Sequence, residues 1–147
     1  MPDYIQELLS LARGGNTEQP KATDLPVLVN IAPEQRKSLR YNSPELDEYA
    51  SFVEQRYGLP PGLIKAIKNS GERSNSNQVS LKGAQGVMQF IPGTWKQYGK
   101  DADPTDPVAS IDAAGAYFKD LLQRYNGNVD AAVTEYNGGV KQAQAVA

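Results

Sequence analysis

Apolar residues recur at helical spacing along most of this chain, and turn-forming residues separate the apolar runs. The first run follows Asp3, which can cap a helix, and it ends at Gly14-Gly15. Its apolar positions fall on one helical face, which carries Ile5, Leu8, Leu9 and Ala12. The pattern predicts a short amphipathic helix that docks on a neighbouring element.

The next stretch, residues 16–42, lacks this periodicity. It contains three prolines and many polar residues, which predicts a linker or an extended arm that wraps the domain. Within it, the apolar run from Val27 to Ile31 predicts either one short strand or a segment buried against the domain. We therefore expect an N-terminal helix and arm over residues 1–42, followed by a domain over residues 43–147.

Helix signals are strongest after this arm. Ser43 as an N-cap before Pro44 predicts a helix that ends at Gly58. Its apolar stripe consists of Leu46, Tyr49, Ala50 and Val53. Pro60-Pro61 then predicts the start of a second helix. In this second helix the pattern predicts a buried face of Leu63, Ile64, Ala66 and Ile67, opposite Lys65, Lys68 and Asn69.

A polar loop is predicted for residues 73–82, where turn-forming residues are frequent. The segment from Gly83 to Ile91 is apolar and compact, and we expect it to form a turn of helix. Pro92 then opens a further helix that carries Trp95 and Tyr98.

The last third of the chain predicts three more helices. Asp106 and Pro107 cap the longest, residues 108–125, whose inward face carries Ile111, Ala114, Phe118, Leu121 and Leu122. Asn128 caps a helix that ends at Gly138-Gly139. The last segment, residues 140–147, has no stop signal, so we expect a longer parent protein. Together the patterns predict an all-α fold of six to seven short helices with an extended N-terminal arm.

Composition narrows the possible chemistry. The 147 residues carry a net charge of −2 without a basic run, which gives no reason to expect nucleic-acid binding. The chain has no cysteine and no histidine, so thiol nucleophiles, imidazole bases and histidine metal sites are excluded. No apolar stretch is long enough for a membrane span, and the N-terminus does not resemble a signal peptide. Catalysis would have to use carboxylates, hydroxyls, amides or lysine.

One acid stands out by its position. Glu72 is the only carboxylate between Glu54 and Asp101, and it follows the second predicted helix of the domain. A carboxyl group shielded by apolar neighbours has a raised pKa, so it can donate a proton to a leaving oxygen near neutral pH. Amides and hydroxyls that match sugar groups lie in the same part of the chain or near its end: Asn75, Asn77, Gln78, Ser80, Gln85, Gln89 and Asn137. Four aromatic residues are candidates to pack on sugar faces, or else belong to the core: Trp95, Tyr98, Tyr125 and Tyr136.

Several ordered motifs resemble the Slt-type lytic transglycosylases, which have a goose-type lysozyme-like fold. A helix rich in leucine and alanine leads to Glu72, and the loop that follows contains Gln78-Val79-Ser80. The remaining motifs are Gly83-Ala84-Gln85-Gly86-Val87-Met88-Gln89, Pro92-Gly93-Thr94, Asp106-Pro107, Ser110-Ile111-Asp112 and Glu135-Tyr136-Asn137-Gly138-Gly139. The resemblance covers residues 44–144, roughly the whole predicted domain.

The resemblance implies a role for each site residue. Glu72 would act first as acid and then as base, while Met88 and Gln89 would line the cleft near the scissile sugar. Tyr136 would hydrogen-bond to the catalytic glutamate or the sugar, and Asn137 would complete that wall. The C6 hydroxyl of muramic acid would then attack the anomeric carbon, so the reaction needs neither a second carboxylate nor a metal or cofactor.

Two features depart from the family pattern. Arg73 follows Glu72 where the family has serine, and the spacing of the motifs would place the family glutamate at Gly71. A straight helix would also put Glu72 beside Lys65 and Lys68, so the alternative is a solvated Lys68–Glu72 pair. The catalytic interpretation requires a tightened last helical turn, which Gly71 would permit.

The sequence therefore predicts a peptidoglycan lytic transglycosylase that cleaves the bond between N-acetylmuramic acid and N-acetylglucosamine. The expected partners are glycan strands of peptidoglycan and other virion proteins, or the rest of a longer chain. Because a wall enzyme without an export signal is explained most simply as cargo, we expect a bacteriophage virion protein that opens the host wall during genome delivery. The alternatives are a catalytically inactive component of the particle and a free endolysin.

Overall fold

A computed structural model of the protein describes residues 25–71, 75–81, 83–138 and 140–146. Within these residues the chain forms eight α-helices and no extended sheet, which confirms the predicted all-α class. The helices are α1 (Val27–Asn30), α2 (Pro33–Arg36), α3 (Pro44–Arg56), α4 (Leu63–Ser70), α5 (Pro92–Tyr98), α6 (Pro107–Arg124), α7 (Val129–Tyr136) and α8 (Val140–Val146). The amphipathic helix predicted near the N-terminus lies outside the described residues.

Three of the predicted N-caps are confirmed. In each, a side-chain oxygen accepts a hydrogen bond from a backbone N–H two or three residues later, which satisfies a donor that the first helical turn leaves free. The capping pairs are Ser43–Leu46, Asp106–Val108 and Asn128–Ala131. These local bonds explain why the starts of α3, α6 and α7 agree with the sequence prediction.

The described part of the arm, residues 25–42, folds against the helices. Of the two alternatives predicted for Val27–Ile31, the strand is wrong and burial against the domain is confirmed, because this segment forms the single turn α1 and buries Leu28 completely. Arg36 from α2 donates two hydrogen bonds, of 2.7 and 2.6 Å, to the carboxylate of Asp106 at the start of α6. The pKa of Arg36 is raised by this carboxylate. A bidentate guanidinium–carboxylate pair fixes both distance and orientation, so it holds the arm beside the first turn of α6.

Helix α6 forms the centre of the core. Ile111, Ala114, Phe118 and Leu121 are buried on its inward face as predicted, and Leu122 is partly buried. Helix α3 crosses close to it at Gly115, where an added β-carbon would lie 2.4 Å from Val53 Cγ1. Because real β-carbons do not approach so closely, a glycine is required for this contact.

Helix α4 begins under a long-range cap. The buried carboxylate of Glu54, on α3, accepts hydrogen bonds from the backbone N–H groups of Gly62 (2.8 Å) and Lys65 (3.1 Å). Negative charge is favourable at a helix N-terminus, where N–H groups lack partners. Glu54 therefore sets the direction in which α4 leaves the Pro60-Pro61 corner.

The rotation of α4 about its own axis differs from the prediction. Ala66 is exposed and Lys68 is fully buried, which is the reverse of what the apolar pattern indicates. The Lys68 ammonium donates to Asp47 Oδ1 (2.7 Å), Asn69 Oδ1 (2.6 Å) and the Tyr41 carbonyl. Burial lowers the pKa of Lys68, while hydrogen bonding to Asp47 opposes this shift. Three acceptors for three N–H groups make the buried charge tolerable.

Candidate active site

A cavity of about 680 Å³ opens where the segment after residue 79 meets α6 and the end of α7. Polar and apolar side chains share its wall, as is common in pockets that orient a ligand with a few polar groups. The lining residues are Ser80, Leu81, Ala84, Gln89, Phe90, Ile91, Thr94, Tyr117, Glu135, Tyr136, Asn137 and Gly138.

One wall of the cavity is a tight turn over residues 85–90. Gln85 and Phe90 close the turn with two backbone hydrogen bonds, of 2.9 and 3.0 Å. Gly86 has φ +78°, and an added β-carbon there would lie 2.0 Å from the Pro104 carbonyl oxygen. The helical turn predicted for this segment is therefore wrong, because the chain is pressed against the loop before α6. The motif needs glycine at residue 86 for both conformation and space.

Gln89 completes this turn in an unusual backbone conformation. Its φ is +54°, and its side-chain Nε2 donates to the Gly86 carbonyl at 2.9 Å. On the side of the turn that faces α6, the Met88 backbone N–H donates to Ser110 Oγ at 3.3 Å. A left-handed conformation at a non-glycine residue persists only where surrounding contacts enforce it. These contacts hold the Gln89 side chain at the cavity wall.

Tyr136, the last residue of α7, connects two walls of the cavity. Its hydroxyl donates to the Met88 carbonyl at 2.6 Å, and its ring stacks on Phe118 with centroids 4.7 Å apart. Burial raises the pKa of Tyr136, so the hydroxyl remains a donor. Gly138 has φ +92°, the left-handed conformation that commonly ends a helix, and this agrees with the predicted helix end at Gly138-Gly139. The residues Asn137 and Gly138 consequently turn into the cavity rim.

Tyr117 is a cavity residue that the sequence interpretation missed. Its ring stacks on Tyr98 (4.7 Å between centroids) and lies beside Tyr136 (5.4 Å) and Phe90 (6.3 Å). The pKa of Tyr117 is raised, first by burial and then by the charge of Glu135. The motif Ser110-Ile111-Asp112 marks the same helix, but only the packing of α6 against α7 turns residue 117 toward the cavity.

The end of α4 lies against the same wall. The helix stops at Ser70, and Gly71 is extended, with its N–H 3.4 Å from the Lys68 carbonyl in a tightened last turn. A β-carbon added at Gly71 would lie 3.9 Å from Gln89 Cγ, so this point of the chain lies close to a cavity residue. The regular helical phase of α4 therefore ends at Ser70.

The sequence model of the transglycosylase SLT domain matches residues 48–146. The chain belongs to the SLT transglycosylase domain family. This confirms the resemblance to Slt-type lytic transglycosylases, and the all-helical structure agrees with it.

Two relatives of this SLT domain come from different biological settings. It is 34% identical over 88 residues to a transglycosylase of Enterobacteria phage PRD1, covering 60% of the present chain and 32% of the phage protein. It is 33% identical over 112 residues to membrane-bound lytic murein transglycosylase C of Yersinia enterocolitica, covering 63% and 31% respectively. The chain thus spans about a third of each relative. None of the helices in the described part of the SLT domain is long and apolar enough to cross a bilayer.

The structure brings some of the predicted site residues together and leaves others apart. Gln89, Tyr136 and Asn137 line the cavity, whereas the Met88 side chain is 2% exposed and packs in the core. Met88 reaches the site through its backbone carbonyl, because the tight turn directs its side chain inward. Glu72 lies outside the described residues. Lys68, which the alternative interpretation pairs with Glu72 in solvent, has a fully buried side chain.

Of the other candidates for sugar binding, some lie at the cavity and others lie away from it. Ser80 lies in the cavity wall, while Asn75 and Asn77 are exposed outside it. Trp95 and Tyr125 are buried; the Trp95 indole donates to the Ala102 carbonyl at 2.9 Å and packs edge-on against Phe90. Trp95 therefore supports the cavity from behind and has no face free for a sugar.

Proposed function

We propose that this SLT domain is a peptidoglycan lytic transglycosylase in which Glu72 is the only catalytic acid. The observation that carries this proposal is that Gly71 lies close to Gln89, whose Cγ is 3.9 Å from the position that a β-carbon on Gly71 would take. Glu72 follows Gly71 directly in the chain, and Gln89 lines the cavity, which supports a role for this acid at the cavity wall. The tightened end of α4 supports this role, because it gives the turn that a catalytic Glu72 requires.

The proposed reaction has two proton transfers through one carboxyl group. Glu72 donates a proton to the glycosidic oxygen as the bond to the anomeric carbon of N-acetylmuramic acid breaks. The C6 hydroxyl of the same sugar then attacks that carbon, and its proton passes to the Glu72 carboxylate. The product is a 1,6-anhydro sugar, and the acid is regenerated without water. This differs from glycoside hydrolysis, which normally uses two carboxylates.

The cavity supplies groups for binding and orienting the glycan. Gln89, Asn137 and Ser80 present amide and hydroxyl groups, and Tyr117 adds an aromatic face with a protonated hydroxyl. Leu81 and Ile91 extend an exposed apolar rim on which sugar rings can lie. Such a mixture of a few polar groups on an apolar wall is suited to a saccharide.

The reaction type is tested by mass spectrometry of the soluble products from purified peptidoglycan. A transglycosylase gives anhydro-muropeptides. We expect these as the main product, since the mechanism consumes no water. Muropeptides with a reducing muramic acid end, one water heavier, would contradict the proposal and would require a second carboxylate. An inactive structural component would release neither.

The biological setting is proposed from the phage relative. The identity to the PRD1 transglycosylase supports a virion-associated enzyme that opens the host wall during genome delivery. In that case the protein is present in purified, washed particles and is found there by mass spectrometry, together with the virion proteins it contacts. Detection in the lysate but never in particles would contradict a virion role and favour a free endolysin.

A further inference from the structure

Glu135 is a buried carboxylate in the cavity wall for which the proposed mechanism has no use. It precedes Tyr136 in the last turn of α7 and is 8% exposed. Both of its oxygens are already engaged: the Tyr125 hydroxyl donates to Oε1, and the Arg124 guanidinium donates to Oε2. A carboxylate in the last turn of a helix faces the negative end of the helix dipole. Its position is therefore unfavourable locally, and the partners on α6 compensate for it.

The chain geometry brings these three residues together. Helix α6 ends at Arg124, and a short turn with positive φ at Asn126 (54°) and Gly127 (84°) reverses the chain before α7 starts. Glu135 then reaches back from the far end of α7 to the end of α6. Its carboxylate closes this helical hairpin at the point where α7 enters the cavity wall.

The two donors remain donors under ordinary conditions. Hydrogen bonding to Glu135 raises the pKa of Arg124, and the same carboxylate raises the pKa of Tyr125. Arg124 is half-exposed, whereas the carboxylate it holds is buried. Arg124 and Tyr125, at the end of α6, therefore hold the Glu135 carboxylate at the end of α7. We call these three residues the anchor.

We propose that Glu135 is a positioning residue, which ties the end of α7 to α6 and thereby holds Tyr136 and Asn137 in the glycan-binding wall. The inference rests on the proposed function for its substrate class, a glycan of N-acetylated sugars. Asn137 is exposed at the rim and follows the anchored residue by two positions, so its place depends on where α7 ends. Glu135 exchanges no proton with the glycan and acts through the wall that it positions.

Direct catalysis by Glu135 would leave a different kinetic signature. A carboxylate that acts as a base on water contributes in the transition state, so its loss lowers kcat and leaves KM unchanged. A residue that positions a binding wall affects glycan binding itself, so its loss raises KM. Removal of either end of an anchor has the same effect, and the two losses do not add.

The test compares Glu135→Gln, Arg124→Met, Tyr125→Phe and the double variant Glu135→Gln/Arg124→Met. Arg56→Met is the matched control, since Arg56 is similarly exposed and faces Asp112 on another part of the surface. Each protein is assayed for kcat and KM on soluble glycan strands, for affinity toward tetra-N-acetylchitotetraose by calorimetry, and for melting temperature. Arg124→Met changes a half-exposed side chain, so it reports on the anchor if Glu135→Gln folds poorly.

We expect Glu135→Gln and Arg124→Met each to raise KM about tenfold, with kcat within about threefold of wild type, and Tyr125→Phe to have a smaller effect of the same kind. The double variant should be no worse than the worse single variant, and the control should match wild type. A thousandfold loss of kcat in Glu135→Gln alone would overturn the proposal in favour of direct catalysis. Additive effects, or a lower melting temperature with unchanged kinetics, would overturn it in favour of a purely structural pair.

The calorimetric affinity tests the positioning role of Glu135 independently of the proposed catalytic activity. If wild type forms no anhydro product, the transglycosylase assignment fails, but the calorimetric affinities still test the anchor. A shared, non-additive loss of affinity of about tenfold supports positioning. Unchanged affinity in both Glu135→Gln and Arg124→Met overturns it.

Discussion

Replacement of Glu72 by glutamine is expected to lower glycan cleavage by about 10³-fold, because one carboxyl group performs both proton transfers of the proposed reaction. Glutamine has nearly the same shape but can neither donate a carboxylic proton nor accept one. The melting temperature should change by no more than about 2 °C, since a single polar exchange of the same size alters stability by only a few tenths of a kcal/mol. The measurements are release of anhydro-muropeptides and a thermal unfolding curve.

Glu45→Gln is the matched control for this variant. Glu45 lies in the first turn of α3 and does not line the cavity. Glu45→Gln therefore makes the same chemical change at another position of the same domain. It should cleave glycan at the wild-type rate. Activity of Glu72→Gln within tenfold of wild type would remove Glu72 from the mechanism.

The largest expected effect on stability comes from Gly86→Ala. The new β-carbon would lie 2.0 Å from the Pro104 carbonyl oxygen, and neither backbone can move without disturbing the start of α6. To this overlap is added the strain of an alanine at φ +78°. We expect a loss of about 3 kcal/mol or more in the free energy of unfolding, measured by denaturant titration.

Comparison with Gly83→Ala shows how much of the stability loss in Gly86→Ala is due to atomic overlap. Gly83 has nearly the same φ, +84°, in the same loop, but an added β-carbon there would meet no atom of the described residues within 4 Å. This variant should therefore lose only about 1 kcal/mol. Equal losses in the two variants would show that backbone strain alone requires glycine and that the contact with Pro104 is unimportant. The Gly86 variant should also lose cleavage activity, because the turn that it distorts carries Gln89.

Interactions between near neighbours in the chain explain the correct part of the sequence prediction. Ser43, Asp106 and Asn128 cap their helices with bonds to residues two or three positions away. Gly138 ends α7 through its own backbone conformation. Such features depend on local geometry, so residue type and spacing are sufficient to predict them. The order of the short motifs is likewise a property of the sequence, and it indicated the family that the comparisons confirm.

The cavity wall depends on longer-range contacts. Tyr136 meets the Met88 carbonyl across 48 residues, and Gly86 meets the loop before α6. The family resemblance placed Met88 in the cleft, because sequence motifs cannot register that the turn at residues 85–90 points this side chain into the core. Tyr117 was missed for the same reason, since its orientation follows from the packing of α6 and α7.

By itself, the sequence determined the helical class, most helix starts and the presence of Glu72 as the only acid between Glu54 and Asp101. Tertiary structure decided which polar groups are buried. Lys68 lies in the interior because Asp47 and Tyr41, more than 20 residues away, bring acceptors to it. Glu135 lies in the cavity wall because α6 ends where its two donors can reach it. The physical reason is that burial of a charge is tolerated only when partners are present, and those partners are assembled by the fold.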